Sequence, residues 1–136
     1  MEIPQAYHDL LRGIGSSVLS VVADDGSVQS SLVWSDLDSG LISVGMLNTA
    51  PKLKSLMRTG KATILKVDPA NEDIYVSIRC SLVDVESDGA IEHINKLTLR
   101  HYGKARWYGD VVSESDKNKA LEVVVYLKPE KLYCSI

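Results

Sequence analysis

The stretch SVLSVVADDGSVQSSLVW, Ser17 to Trp34, decides how this chain folds. Two runs of strand-forming residues, Val18 to Ala23 and Val28 to Trp34, flank Asp25-Gly26, a dipeptide that supplies the positive φ of a tight hairpin turn. The next segment, DLDSG at residues 36–40, repeats the device and returns the chain into Leu41-Ile42-Ser43-Val44. Three antiparallel strands in a meander are therefore expected. Connections this short force antiparallel pairing, because parallel neighbours need long crossovers.

Upstream, Ile3-Pro4 opens a helix. Ala6, Tyr7, Leu10, Leu11 and Ile14 follow helical spacing, and Gly13 and Gly15 end it. Downstream lies NTAPKLKSLMRTGKA, Asn48 to Ala62. Pro51 suits a first helical turn, Asn48 or Thr49 is placed to cap it, and Leu53, Leu56 and Met57 form an apolar stripe ended by Gly60. Lys61 to Val67 returns to strand, DPANED breaks the chain, and Ile74 to Val85 makes a long strand rich in β-branched and aromatic residues. In SDGAIEHINKLTLRHYGK, Ser87 or Asp88 can cap a helix whose apolar face is Ile91, Ile94, Leu97 and Thr98. Gly103 ends it, with Arg100 and His101 near the C-terminal dipole. Residues 105–120 read as a polar loop, aromatic at its start. The last sixteen residues give one strong strand and a shorter run after Lys128-Pro129.

Six or seven strands with short helices define a mainly β protein, a small antiparallel barrel of about six strands with appended helices. Closure removes vulnerable sheet edges. With 136 residues, 45% of them hydrophobic and 24% charged, one domain over residues 1–136 can bury a core of its own. A formal charge of −3 argues against a general nucleic-acid binder. No apolar run is long enough to span a bilayer, and MEIPQAYHDLL does not resemble a signal peptide, so a cytoplasmic location is expected. Cys80 and Cys134 lie in apolar runs and read as buried free thiols.

No nucleophile constellation stands out. His93 and His101 are eight residues apart on one predicted helix, too far to share a metal, and no metal site is expected. Enzyme chemistry, if present, comes from a bound cofactor. The basic stretch is then the informative one. Lys52 and Lys54 fall in the first turn of a predicted helix, where free N–H groups and the dipole already favour an anion. A cation there is unfavourable for the helix alone. With the Thr49 hydroxyl and the Asn48 amide it becomes a phosphate cradle; the competing reading is a solvated, lysine-rich helix.

The order of these motifs, from the DG hairpin through SSLVW, APKLKSL and YVSIR to VDVESDGAIEHINKLTLRHYGK, resembles the split-barrel flavoproteins related to pyridoxamine 5′-phosphate oxidase. The likeness is greatest to their deazaflavin-dependent branch, and it runs from about Leu11 to Gly109. It implies a homodimer of six-stranded split barrels with flavin-type cofactors in clefts between subunits. SSLVW resembles the family's Ser-Pro-Val-Trp strand beneath the ring, which makes Ser31, Leu32, Val33 and Trp34 candidate ring contacts. KLKSL resembles the K-x-x-N-L pattern, implying Lys52 on the phosphate with Lys54 beside it. IYVSIR resembles RYVEVRG at the dimer interface, which nominates Ile74, Tyr75 and Arg79 from a second subunit, and Trp107 is a candidate pocket wall. LRHYGK resembles the family's RRYTG helix end, read as structural. The chain departs from the pattern at Met46, Ala50, Ser55 and Cys80, where phosphate donors or glycine are usual.

The expectation is an oxidoreductase that uses FMN, or alternatively a deazaflavin coenzyme, to pass a hydride to a small organic acceptor. The alternative is a flavin- or haem-binding sensor or carrier without turnover. Neither reading involves nucleic acid or a membrane.

Overall fold

A computed structural model describes residues 2–135. Seven strands form one sheet: β1 (Ser17–Val22), β2 (Val28–Val33), β3 (Ser35–Asp38), β4 (Leu41–Leu47), β5 (Lys61–Asp68), β6 (Asn71–Glu86) and β7 (Glu122–Cys134). Their order is β2-β1-β5-β6-β7-β4-β3, and every pairing is antiparallel. Among the described residues four α-helices accompany them: α1 (His8–Arg12), which continues a 3₁₀ turn over Gln5–Tyr7, α2 (Pro51–Thr59), α3 (Ala90–Tyr102) and a short, kinked α4 (Trp107–Asp110), which with a 3₁₀ helix over Glu114–Asn118 occupies the segment expected to be loop.

The two edges of the sheet, β2 and β3, are consecutive in the chain and separated by Trp34 alone. One residue can join opposite edges only if the sheet curls round on itself, and it does so as a half-barrel. Across the seam, the Ser17 and Ser35 hydroxyls share a buried hydrogen bond of 2.7 Å, and Arg12 Nε donates to the Leu37 carbonyl at 3.1 Å. The barrel interior is filled by Leu19, Val21, Ile42, Val44, Ile64, Val76, Ile78, Val125 and Leu127, with Leu11 and Leu56 sealing it from α1 and α2.

The Asp25-Gly26 hairpin forms as expected, in register from Ser17↔Val33 to Val22↔Val28. The three-stranded meander does not. Residues 35–38 are a strand that pairs with β4, and β4 continues onto β7, so the third expected strand never meets β2. Ser35, Asp36 and Leu37 are buried in succession, and Asp36 is held by Lys96 at 2.9 Å and Arg100 at 3.0 Å on α3. Burial works against that carboxylate's charge, but the hydrogen bonds from Arg100 and Lys96 outweigh it and hold the Asp36 pKa below its ordinary value.

Three local expectations are also corrected. Neither Asn48 nor Thr49 caps α2: its N-cap is Ala50, and Asn48 instead exchanges hydrogen bonds with Leu121 at 2.8 and 3.2 Å. Helix α3 starts from Gly89, with no side-chain cap from Ser87 or Asp88. The final strand is unbroken through Pro129, because the register slips there: Arg79 pairs with Lys131 and Cys80 with Pro129. A bulge is where a strand tolerates proline. Cys80 is buried as expected, and burial, with Glu130 nearby, pushes its thiol up to about 12; Cys134 is exposed.

Candidate functional site

Helix α2 begins at Pro51, whose missing N–H costs nothing in a first turn, and ends at Gly60 in the left-handed conformation, φ 69°. Leu53, Ser55 and Leu56 face the core, which turns Lys52 toward β2. The Lys52 Nζ lies 3.4 Å from the Ser31 hydroxyl. Burial lowers its pKa below the ordinary 10.5, and among the described residues no carboxylate pairs with it. A partly desolvated ammonium without a counter-ion is a site prepared for an anion.

Lys52 stands where two hollows meet. On one side a cleft of about 360 Å³ runs between β2, β4 and α3, lined by Leu32, Val33, Trp34, Gly45, Ile94 and Trp107 among others. On the other, a groove of about 420 Å³ follows Gln29, Ser30, Ser31, Ala50 and Pro51. The cleft is walled by aromatic rings. Trp34 stacks on His101 with centroids 4.4 Å apart and planes 7° from parallel, and it meets Tyr102 and Trp107 edge-on at 5.0 and 5.6 Å. The His101 ring nitrogens lie within hydrogen-bond reach of two carbonyls, Nδ1 2.9 Å from Leu97 O and Nε2 3.2 Å from Gly15 O, and whichever nitrogen carries the hydrogen donates to its neighbour. A larger hollow of about 730 Å³ lies between α1 and the β5–β6 turn, but its charged lining is Asp9 and Asp68, which would repel an anion. Volume does not select the site; the unpaired cation beside an aromatic wall does.

Six of the sequence candidates therefore converge: Ser31, Leu32, Val33, Trp34, Lys52 and Trp107. Five do not. Asn48 is engaged with Leu121, and Thr49 and Lys54 are exposed outside both hollows. Tyr75 and Arg79 sit on β6, opposite Val67 and Thr63, with the Arg79 guanidinium 5.3 Å from the Tyr133 ring centre. Neither lines the cleft or the groove. Met46 and Ser55 are buried, at 5% and 8% exposure, so neither departure removes a donor from the cleft.

Sequence reading missed Ser16, Gly45, Ile94, Leu97 and Tyr102. Tyr102 lies in LRHYGK, the helix end whose likeness implies only a structural role. Nothing local marks Gly45. A side chain there would bring its Cβ within 3.3 Å of His93 Nδ1. Among the described residues, no group of three His, Cys, Asp or Glu side chains is placed to hold a metal.

No protein-family model and no curated protein sequence matches the chain. Solved structures do. An F420 reductase superimposes with a TM-score of 0.81 at 21% identity, covering 96% of this chain and 98% of its own. An FMN-binding protein from Syntrophomonas wolfei gives 0.67 at 16% identity, over 93% and 82%. A pyridoxamine 5′-phosphate oxidase-like protein from Listeria innocua gives 0.60 at 17%, over 88% and 86%. The chain has the split-barrel fold of these proteins.

Proposed function

We propose that the chain binds FMN or a related deazaflavin coenzyme in the cleft between β2, β4 and α3, and acts as an oxidoreductase on a small organic molecule. One observation carries this: the Lys52 ammonium, without a carboxylate partner, stands at the junction of an aromatic-walled cleft and a hydroxyl-lined groove. A planar ring would lie against the wall made by Leu32, Val33 and the contacting Trp34–Trp107 pair, and a phosphate would lie against Lys52 with the first-turn N–H groups of α2 behind it. When bound in its reduced form, such a ring would supply hydride-transfer chemistry. The chain's own part is binding and orientation. Trp34, fixed by His101, sets the plane of the wall, Val33 offers strand backbone to the ring's polar edge, and Lys52 holds the anionic end.

The fold-level likeness to an F420 reductase and to an FMN-binding protein supports this reading. The test compares FMN with riboflavin by calorimetric titration into apo-protein. FMN should bind at least about tenfold more tightly, the size of one charged hydrogen bond. Equal affinities would return Lys52 to a surface lysine. Turnover of the reduced coenzyme with a panel of acceptors then separates an oxidoreductase from a carrier that binds without reacting.

A further inference from the structure

Between α3 and β7, residues 104–121 run outside the sheet, and most of their polar contacts stay within the segment. The Arg106 N–H donates to Asp110 at 3.0 Å, the Val111 and Val112 N–H groups return to the Trp107 carbonyl, and Lys117 and Lys119 pair with Glu114 and Asp116. Its last residue, Leu121, is held by Asn48. Before that point, among the described residues, two hydrogen bonds tie the segment to the rest of the chain. The Trp107 N–H donates to Asn95 Oδ1 on α3 at 3.0 Å, and the Tyr108 hydroxyl donates to Glu122 Oε1 on β7 at 3.1 Å. Both anchors fall on consecutive residues, and the first of these, Trp107, lines the cleft and meets Trp34 edge-on.

The second anchor is costly. Tyr108 and Glu122 are both buried, and among the described residues no cation pairs with the carboxylate. Burial raises the Glu122 pKa, with the Tyr108 hydrogen bond opposing, while burial and the Glu122 charge push the Tyr108 phenol up to about 12. The phenol therefore keeps its hydrogen and is the donor. Glu122 opens a run whose next three residues, Val123, Val124 and Val125, are buried, and an apolar side chain in its place would avoid the desolvation. What the carboxylate adds is direction, because a hydrogen bond fixes where the Tyr108 ring sits. Regular helix geometry does not hold this turn in place: inside α4 the backbone departs from it at Tyr108, ψ 117°, and at Gly109, φ 107°. The side-chain anchors do.

We propose that Asn95, Tyr108 and Glu122 are positioning residues, a two-point clamp that presents Trp107 as a preformed wall to a planar ligand ring. The proposal rests on the coenzyme-binding reading above, and it gives a role to three residues that do not themselves line the cleft. A wall fixed before the ligand arrives spares binding the cost of ordering an indole side chain.

The experiment titrates FMN and a deazaflavin coenzyme, each with and without its phosphate, into the full chain and into four variants. Asn95→Leu and the double variant Tyr108→Phe with Glu122→Leu remove the anchors, whereas Asn95→Asp and Glu122→Gln keep an acceptor. Fluorotryptophan labelling lets the ¹⁹F resonances of Trp34 and Trp107 be followed in the same samples. Asn95→Leu and the double variant should bind about three- to tenfold more weakly, the scale of ordering one side chain, and by the same factor whether or not the phosphate is present. Their Trp107 resonance should broaden in the free protein and sharpen on binding. Asn95→Asp and Glu122→Gln should stay within about twofold of the unmodified chain. Lys52→Ala, by contrast, should weaken only the phosphate-bearing ligands and leave the Trp107 resonance in place. Anchor-deleted variants that lose thermal stability yet bind every ligand as tightly as before would overturn the clamp and leave the coenzyme reading intact. Failure of the unmodified chain to bind either coenzyme would overturn both. The double variant removes both buried partners together, so no unpaired carboxylate is left to unfold it.

Discussion

Lys52 and Lys54 stand two residues apart on one helix in opposite surroundings. Lys52 is half-buried beside Ser31, while Lys54 is exposed outside both hollows. Lys52→Ala should lower coenzyme affinity about ten- to a hundredfold, the range for a charge-assisted hydrogen bond, and Lys54→Ala should leave it within about twofold. Equal losses in a calorimetric titration would point to a diffuse field and no defined site. Lys66, within β5, is a different case. It is 0% exposed, with Nζ donating to the carbonyls of Gly13 at 2.8 Å and Leu11 at 3.4 Å, and so closes the end of α1. Burial, then Arg100, lower its pKa to about 8, with Asp36 opposing. Because the unfolded chain keeps this proton up to about 10.5 and the folded one loses it near 8, stability should rise with pH between those values. The gain is roughly 3 kcal/mol at most. Chemical denaturation of wild type and Lys66→Met at several pH values isolates it; parallel pH profiles would refute the assignment.

Helix α2 positions Lys52, and its anchoring face is narrower than the apolar spacing implies. Leu53 and Leu56 are buried, Leu56 completely, whereas Met57 is 62% exposed. Leu56→Ala should cost about 2–5 kcal/mol through the cavity it leaves, and Met57→Ala less than about 0.5. Urea denaturation of the two variants measures both, and a comparable loss in each would mean that the helix packs on a different face. Strand β7 shows the limit of reading elements one residue at a time. Pro129 marks a break in sequence, yet the strand passes through it because β6 slips its register at Cys80. That bulge is a property of the pair, and no feature of residues 122–134 alone contains it.

At the scale of the whole molecule, the site exists because the sheet curls until β2 and β3 meet at Trp34. The curl brings α3 against β4 and places Trp107, Tyr102 and Trp34 around one space. Tyr75 and Arg79 remain outside it, so if they serve the ligand they come from another copy. Val28 and Leu32 on the edge strand are 67% and 72% exposed, an apolar edge of the kind that proteins cover. A homodimer burying more than about 2,000 Å² in total is the expected assembly. Light scattering at micromolar concentration with coenzyme saturated should give twice the chain mass of 14.9 kDa; the single-chain mass would refute it.

What the sequence determined by itself is what local physics controls. Asp25-Gly26 turns the first hairpin because glycine accepts positive φ, and Gly60 and Gly103 stop their helices for the same reason. The antiparallel class follows from short connections. The tertiary structure decided everything that depends on partners distant in the chain. It set which strand β4 joins, that Lys66 is a buried cap, that Asn48 ties down Leu121, and that His93 packs against Gly45, far away in the chain, with one nitrogen unpaired. Strand alternation says which residues share a face, but not which strand lies alongside. Only closure of the sheet fixes that, and the cleft is made by the closure.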